Sequence, residues 1–245
     1  MTVTAVPLVW PASTSGAAPM SDRIELEFSR KYDKSHARQY LEKHQDGLWR
    51  KLSHHRDEQL ARKALHLAGD PGLVLDLPCG AGRFWPLLAE KPNRSIIGAD
   101  NSADMLSTAC ASQPAEVVKR VQPLQTSAFD IDLPDNAVDS IFCMRLLHHV
   151  GQSSDRMALL REFQRVTRDS VIVSLWVDGN FKAWKRARLE KQRLQKNGQE
   201  SYQNRFVLPV ATAESEFEQA GFRIQNRMDF LPMYAMWRVY VLRKR

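Results

Sequence analysis

The sequence has no long hydrophobic run. Nothing in its 245 residues approaches the roughly 18 consecutive apolar positions that a membrane-spanning helix needs. It has little cysteine: Cys79, Cys110 and Cys143 are an odd number without Cys-x-x-Cys spacing. That argues against a disulfide framework and against a zinc site, and it suits a reducing cytoplasm. No Gly-x-x-x-x-Gly-Lys-Ser/Thr occurs, so a P-loop is out. Residues 1–19, MTVTAVPLVWPASTSGAAP, lack both a basic start and a sustained apolar stretch. They do not read as a signal peptide, and a disordered tail is expected over residues 1–20, with Met20 a candidate start. Negative charge is scarce as well: 28 Asp and Glu stand against 35 Lys and Arg, a net charge of +7. Such an excess favours acidic partners, whether phosphorylated small molecules, anionic lipid or nucleic acid, without choosing among them.

What is present is an ordinary globular composition, 43% apolar and 26% charged, at a length that suits one α/β domain with a helical extension. Residues 21–70 read as a charged helical segment, with Leu41, Leu48, Leu52, Leu60, Ala64 and Leu65 at broadly helical spacing, closed by Gly69-Asp70-Pro71-Gly72. Strand-like and helix-like pieces then alternate. Strands are expected at Leu73–Leu77, Ser95–Asp100, within Arg120–Thr126, at Val138–Met144 and at Ser170–Val177. Helices are expected from Ser102, a plausible N-cap, to Ser112 and from about Ser154 to Thr167. This alternation implies a parallel, doubly wound sheet with helices on both faces. Residues 178–208 interrupt it with the basic segment FKAWKRARLEKQRLQKNGQ. A helix from near Thr212 to Gly221 follows, then two strands, Phe222–Met228 and Met236–Leu242, whose short connection permits antiparallel pairing.

The stretch LVLDLPCGAGRFWPLL, residues 73–88, carries the chemistry. In a doubly wound sheet, ligands sit beyond the carboxyl ends of the strands. Asp76 closes the first strand there, and Gly80 and Gly82 let backbone approach a ligand closely. Asp100 closes the second strand 18 residues after Gly82, where a carboxylate can accept from both hydroxyls of a ribose. The pattern therefore reads as an adenosine-type site, with a packing turn as the plain alternative. A dinucleotide fold wants a third glycine where Trp85 stands, and Asp76 would repel a pyrophosphate. The same carboxylate suits a ligand with an amino group, such as the methionine part of S-adenosylmethionine (SAM).

With these residues in view, the chain resembles the class I SAM-dependent methyltransferases. The likeness rests on VLDLPCGAGRF (74–84), IIGAD (96–100), SAFDIDLPDNAVDSIFCMRLLHHV (127–150) and EQAGFRI (218–224), four ordered landmarks over roughly residues 70–245. It implies a Rossmann-like, seven-stranded, mostly parallel sheet with one antiparallel strand, and SAM as cofactor. Asp76, Pro78, Gly80 and Gly82 would line the methionine end, Asp100 and Asn101 the ribose, and Ser127, Ala128 and Phe129 the adenine. Met144 and Arg145, with Cys143, would face the sulfonium. Two positions depart from the family: Pro78 stands at its first glycine, and Ser127 stands where an Asp often binds the adenine amino group. The 21–70 segment would act as a lid, with Tyr32, Arg38 and Tyr40 candidates for the cofactor carboxylate.

His148 and His149, just past the fourth strand, are the candidate general bases, His149 favoured. A helix cap or a packing role is the plainer reading, and adjacent histidines without a third partner make no metal site. Cys79 reads as a small residue filling a tight turn, and the Asp-rich run 130–139 as turn chemistry. Residues 182–205 hold eight Lys or Arg against two Glu, and the resemblance implies that an insertion here folds over the acceptor pocket, so Arg205, Lys185 and Trp184 are candidate contacts to the acceptor, with a solvated helix as the plainer reading. The leading expectation is methyl transfer to a small-molecule or lipid-type, possibly anionic, acceptor, with peripheral membrane contact open. A nucleic-acid methyltransferase and a non-catalytic SAM-binding regulator are the alternatives. The Asn/Asp-Pro-Pro-aromatic signature of base-amino methylation is replaced by Cys143-Met144-Arg145-Leu146.

Overall fold

In the computed structural model, which describes residues 48–197 and 204–245, the apolar runs become the strands of one sheet. These are β1 (Leu73–Asp76), β2 (Ser95–Asp100), β3 (Val121–Gln125), β4 (Val138–Cys143), β5 (Thr167–Trp176), β6 (Phe222–Asp229) and β7 (Trp237–Lys244). Their order is β3-β2-β1-β4-β5-β7-β6. β7 runs antiparallel to both neighbours and every other pairing is parallel. This is the expected seven-stranded sheet with one antiparallel strand. Central β1 and β4 are buried on both faces, and so β1 and the second half of β4, Ile141–Cys143, read as short apolar runs. β3 has a single neighbour and accommodates Pro123, which cannot donate to a second.

Two layers of helix cover the sheet: α1 (Leu48–Leu67), α2 (Trp85–Leu88), α3 (Ala103–Ser112), α4 (Ala115–Val118), α5 (Ser153–Val166), α6 (Phe181–Asn197) and α7 (Val210–Gln219), with a 3₁₀ turn at Leu147–His149. Successive strand residues serve opposite cores. Val74 packs with Leu60, Ala64 and Leu65 of α1 and with Trp85, whereas Leu75 packs in the layer of Leu159 and Phe163 of α5 and Phe217 of α7. Arg156 of α5 pairs with Glu216 of α7 at 2.6 and 2.7 Å and donates to the carbonyls of Val150 and Gly151, which fixes the segment after β4.

Trp85 is fully buried, and its indole fills the space above Gly98, where an added Cβ would lie 2.5 Å from the ring. Bulk sits on the helix and the missing side chain on β2. Gly98→Ala is accordingly expected to cost about 1–3 kcal/mol by overpacking. Urea denaturation would measure it, and Trp85→Phe in the same chain should recover part of the loss.

Several boundaries differ from expectation. α5 starts at Ser153 and ends at Val166, and β5 starts at Thr167 rather than Ser170. The register shifts between Val138 and Ser140, and the exposed pair Arg168 and Asp169 bulges from the ladder, so their polarity hides the strand start. α7 starts at Val210 rather than near Thr212, because the carboxylate of Asp178 accepts from the Val210 N–H at 3.0 Å, a cap supplied from a distant loop. Ser102 caps α3 as expected, accepting from Met105 N–H at 3.3 Å, and Gly221 closes α7 at φ +88°. The tail over 1–20, residues 21–47 with Tyr32, Arg38 and Tyr40, and residues 198–203 of the basic insertion lie outside the described residues.

Candidate functional site

Strand order reverses between β1 and β4, which opens a crevice beyond their carboxyl ends. Asp76 and Asp100 end β1 and β2 at that edge. The chain leaves β1 through a cis Leu77–Pro78 bond and turns at Gly80 (φ +54°) and Gly82 (φ +71°), a conformation that favours glycine. Asp100 fastens this loop: one carboxylate oxygen accepts from Gly80 N–H and the other from Ser102 N–H, each at 3.0 Å. Burial pushes its pKa up against these opposing bonds, and each oxygen keeps a lone pair for a diol. Asn101 is exposed beside it.

Asp76 is different. It is 1% exposed, and its Oδ2 has no hydrogen-bond partner. Burial, then the negative charge of Asp100, raise its pKa well above the ordinary value, and only the neighbouring Trp85 indole N–H, itself without a hydrogen bond, works the other way. A buried carboxylate with an unpartnered oxygen, four residues before Gly80, suits an ammonium group. Cys79 sits buried between the two acids. Burial and then their charges push its thiol far up, so it is a filler, not a nucleophile.

Ser127, Ala128 and Phe129 are half-buried in a turn just beyond β3. Ser127 Oγ accepts from Phe129 N–H at 3.2 Å, and Thr126 braces the turn through Asp130 and Asp132. Met144, directly after β4, is buried in the core layer that contains Phe84 and Cys79. Arg145 has φ +66°, donates its N–H to Ser174 Oγ at 2.8 Å, and lays its guanidinium 4.9 Å from the centre of the Trp237 ring.

Beyond β4 and β5 the structure assembles an aromatic cluster. His148 lies 5.1 Å from Trp176 and 4.7 Å from Trp237, ring centre to ring centre, and 4.0 Å from His149. Burial, helped by His149 and nearby arginines, lowers the His148 pKa to about 2, so this ring is neutral and a very weak base. Its Nδ1 and the Nε1–H of Trp176 are buried and unpartnered. His149 donates from Nδ1 to the carbonyl of Asn204 at 2.5 Å, and burial lowers its pKa too. The segment after α6 returns over this turn, with Phe206 N–H donating to the His148 carbonyl at 2.7 Å. Arg186 and Arg205 stand 5.3 and 5.8 Å from the Trp176 ring centre. Arg205 therefore reaches the cluster, whereas Lys185 and Trp184 lie exposed on α6. Among the described residues, no group of three or more His, Cys, Asp or Glu is placed to hold a metal ion.

Sequence reasoning missed two sets of residues. Asp57 of α1 takes Arg83, from the glycine loop, at 2.7 Å and also pairs with Arg145, while His54 accepts from Arg83. Nothing local marks Asp57, since its partners are 26 and 88 residues away. The Trp176–Trp237 pair was findable: antiparallel β5 and β7 bring the end of one beside the start of the other, and these tryptophans share a register position.

Residues 74–170 match a family model described as a methyltransferase domain. Among curated proteins, the chain is 31% identical over 117 residues to a tRNA U34 carboxymethyltransferase of Shewanella frigidimarina, covering 45% of this chain and 33% of that one. Over 114 residues it is also 31% identical to the tRNA U34 carboxymethyltransferase of Shewanella woodyi. The chain spans about a third of the length of these curated relatives. Among solved structures, it resembles magnesium protoporphyrin IX methyltransferase from Synechocystis PCC 6803 with bound SAH (TM-score 0.63, 18% identity, 82% of this chain and 89% of that one). It likewise resembles human N-acetylserotonin methyltransferase in complex with SAM (TM-score 0.64, 16% identity, 93% of this chain and 60% of that one). At these identities the structural likeness is one of fold.

Proposed function

We infer, from the match of residues 74–170 to a methyltransferase-domain model, that this protein is a class I SAM-dependent methyltransferase and that it methylates a small-molecule or lipid-type acceptor bearing an anionic group. The observation that carries the acceptor reading is the aromatic cluster beyond β4 and β5: Arg145, Arg186 and Arg205 approach it, and two buried nitrogens there lack partners. Asp57 pairs with Arg145 and Glu190 with Arg186, and the stretch 182–205 holds eight Lys or Arg against two Glu. A carboxylate or phosphate on the acceptor complements that excess, and the Trp176 N–H gives it a further donor.

SAM brings a methyl group already activated by the sulfonium, so the chain's task is binding and alignment. Asp76 holds the ammonium, Asp100 the ribose hydroxyls, with the Gly80–Gly82 backbone beneath and Asn101 alongside. Ser127, Ala128 and Phe129 flank the adenine, and α1 closes over the site as part of a lid. Arg145 and Arg205 would orient the acceptor so that its nucleophilic atom faces the cofactor's methyl group, and such orientation supplies most of the rate. A neutral His148 contributes shape and a hydrogen bond more than proton abstraction. His149 stays the candidate base where the acceptor must lose a proton. The setting proposed is cytoplasmic. Among the described residues no helix is long and apolar enough to cross a membrane.

A tRNA acceptor is the second reading, favoured by the partial similarity to the carboxymethyltransferases. An S-adenosylhomocysteine release assay separates the two. Acidic lipophilic small molecules, their neutral esters and bulk tRNA are offered in parallel. Turnover is expected with the acids. Arg205→Gln should raise their KM by about 10- to 100-fold, the loss of a charged hydrogen bond, without changing SAM affinity. Turnover on tRNA alone would reverse the assignment, and SAM binding without turnover on any acceptor would favour a regulator.

A further inference from the structure

α6 is a poor helix by the usual standards of packing. Over its first 15 residues only Ala183 is buried, and Phe181, Trp184, Leu189 and Leu194 are each 43–56% exposed. Short helices draw most of their stability from an apolar face laid on a core, and here much of that face is turned to solvent. The neighbouring β6–β7 connection does the same, with Leu231, Met233 and Tyr234 exposed at 46%, 78% and 47%. The two pieces are built together: Phe181 N–H donates to the Met233 carbonyl and Lys182 N–H to the Tyr234 carbonyl, at 2.9 and 3.0 Å. Phe181 stacks on Tyr234 at 5.8 Å and lies 5.9 Å from Trp184. A groove of about 710 Å³ opens beside them, with Phe206 and Val207 on its far wall. Phe181, Trp184 and Met233 line this groove together, and Leu189, Leu194, Leu231 and Tyr234 are further exposed apolar groups on the same two pieces.

The charge of these pieces has one sign. The α6 sequence FKAWKRARLEKQRLQKN carries seven Lys or Arg and one Glu, and that Glu, Glu190, is taken up by Arg186 at 2.8 Å. Lys182 lies 5.3 Å from the Tyr234 ring centre and Arg188 5.6 Å from that of Trp184, so cations are set among the exposed apolar groups.

We propose that this surface, α6 with the β6–β7 connection, docks the protein on an anionic lipid bilayer. Basic residues would meet the headgroups while Trp184, Met233 and Leu231 enter the acyl boundary. A nucleic acid would complement the same charge, but two features favour lipid. Bases stack on open aromatic faces, and here Phe181 and Tyr234 stack on each other. Leu189, Leu194, Leu231 and Met233 offer aliphatic surface, which suits hydrocarbon and not a base. The surface adjoins the acceptor side of the crevice, since Arg186 of α6 both faces the Trp176 ring and donates to the Arg205 carbonyl at 3.0 Å. The proposal does not depend on which group is methylated there.

Co-sedimentation of the full chain with vesicles tests it. Binding is expected to phosphatidylcholine vesicles containing about 30 mol% phosphatidylserine, to be weak on phosphatidylcholine alone, and to fall with added salt. Trp184→Ser with Met233→Ser should lower the partition coefficient by roughly tenfold or more, because two exposed apolar anchors are lost. SAM affinity, read by calorimetry on the same sample, should not change, which confirms that the variant is folded. Three results would overturn the proposal. These are equal binding of wild type and variant, no preference for anionic vesicles, and a wild-type dimer in sedimentation velocity that the variant loses, which would assign the surface to a second copy of this chain. Competition of the vesicles by RNA at equal charge, with no loss of RNA binding in the variant, would likewise move the basic residues to nucleic acid.

Discussion

Asp76→Asn is expected to weaken SAM binding by about 30- to 5,000-fold, the roughly 2–5 kcal/mol lost when one partner of a buried charge pair is neutralised, while making the ligand-free protein more stable. The two effects have one cause. Asp76 is buried, one of its oxygens has no partner, and both the low-dielectric surroundings and Asp100 oppose its charge. Without an ammonium nearby the folded protein prefers the protonated acid. The unfolded chain ionises near 3.8, the folded chain well above it. Between those limits the native state binds more protons than the unfolded state, so ligand-free stability falls as pH rises through that window. Asn carries no charge and removes this slope. Ammonium binding calls for the ionised carboxylate, so SAM affinity should rise with pH across the same window, with proton release on the low side. Calorimetry in two buffers of different ionisation heat reads the proton, and thermal unfolding with and without SAM reads the stability. A variant that binds SAM like the wild type would show that the ammonium lies elsewhere, and the cradle built from Asp76, Gly80 and Gly82 would have to be abandoned.

That the cradle was legible from sequence has a physical reason. The crevice of a doubly wound sheet lies where strands end, so its residues follow buried runs directly and their spacing is short: Asp76, Gly80 and Gly82 fall within one turn, and Asp100 ends the next strand. Central β1, β2 and β5 were legible as apolar runs closed by turn residues, and β6 as an alternating pattern after Gly221, whereas β3 (VQPLQ) could be placed only within Arg120–Thr126. The N-cap at Ser102 and the stop at Gly221 were legible because both are local chemistry. The α7 start and the β5 start were not, because each is decided by a group outside the element: Asp178 caps from another loop, and a bulge puts two exposed charges inside a strand. The aromatic cluster proposed to receive the acceptor was the least legible part for the same reason, taken further. Trp176, Trp237, Arg145 and Arg205 come from four separate segments and meet only because β7 runs antiparallel beside β5 and the chain after α6 returns across the His148 turn. A run of Lys and Arg announces charge, yet only the fold shows that Arg205 turns to the cluster while Lys185 stays on the outer helix.

Asp57→Ala is expected to cost about 3–5 kcal/mol of folding stability, because it removes the carboxylate that two guanidiniums share and leaves both without their counter-charge. The Asp57 side chain is 6% exposed, that of Arg83 13% and that of Arg145 29%. Burial ranks the three. Arg83→Met should cost less than Asp57→Ala, since Asp57 keeps Arg145. Arg145→Met should cost least, because its guanidinium is partly solvated and screened there. His54 moderates the loss in Asp57→Ala: burial first, then the Arg83 charge, depress its pKa, so it stays neutral and continues to accept from Arg83 at 2.9 and 3.1 Å. Urea denaturation of the three variants gives the order. The same triad joins α1 to the residue after Gly82 and to the residue after Met144, so one carboxylate ties the glycine loop to the segment that follows β4. Asp57→Ala should therefore weaken SAM binding even at temperatures well below its own unfolding, whereas Arg145→Met should leave SAM affinity nearly intact and raise the KM for the acceptor. If Asp57→Ala proves as stable as the wild type, α1 is held by its apolar contacts, Leu60, Ala61, Ala64 and Leu65, and the three charges organise the site without supporting the fold.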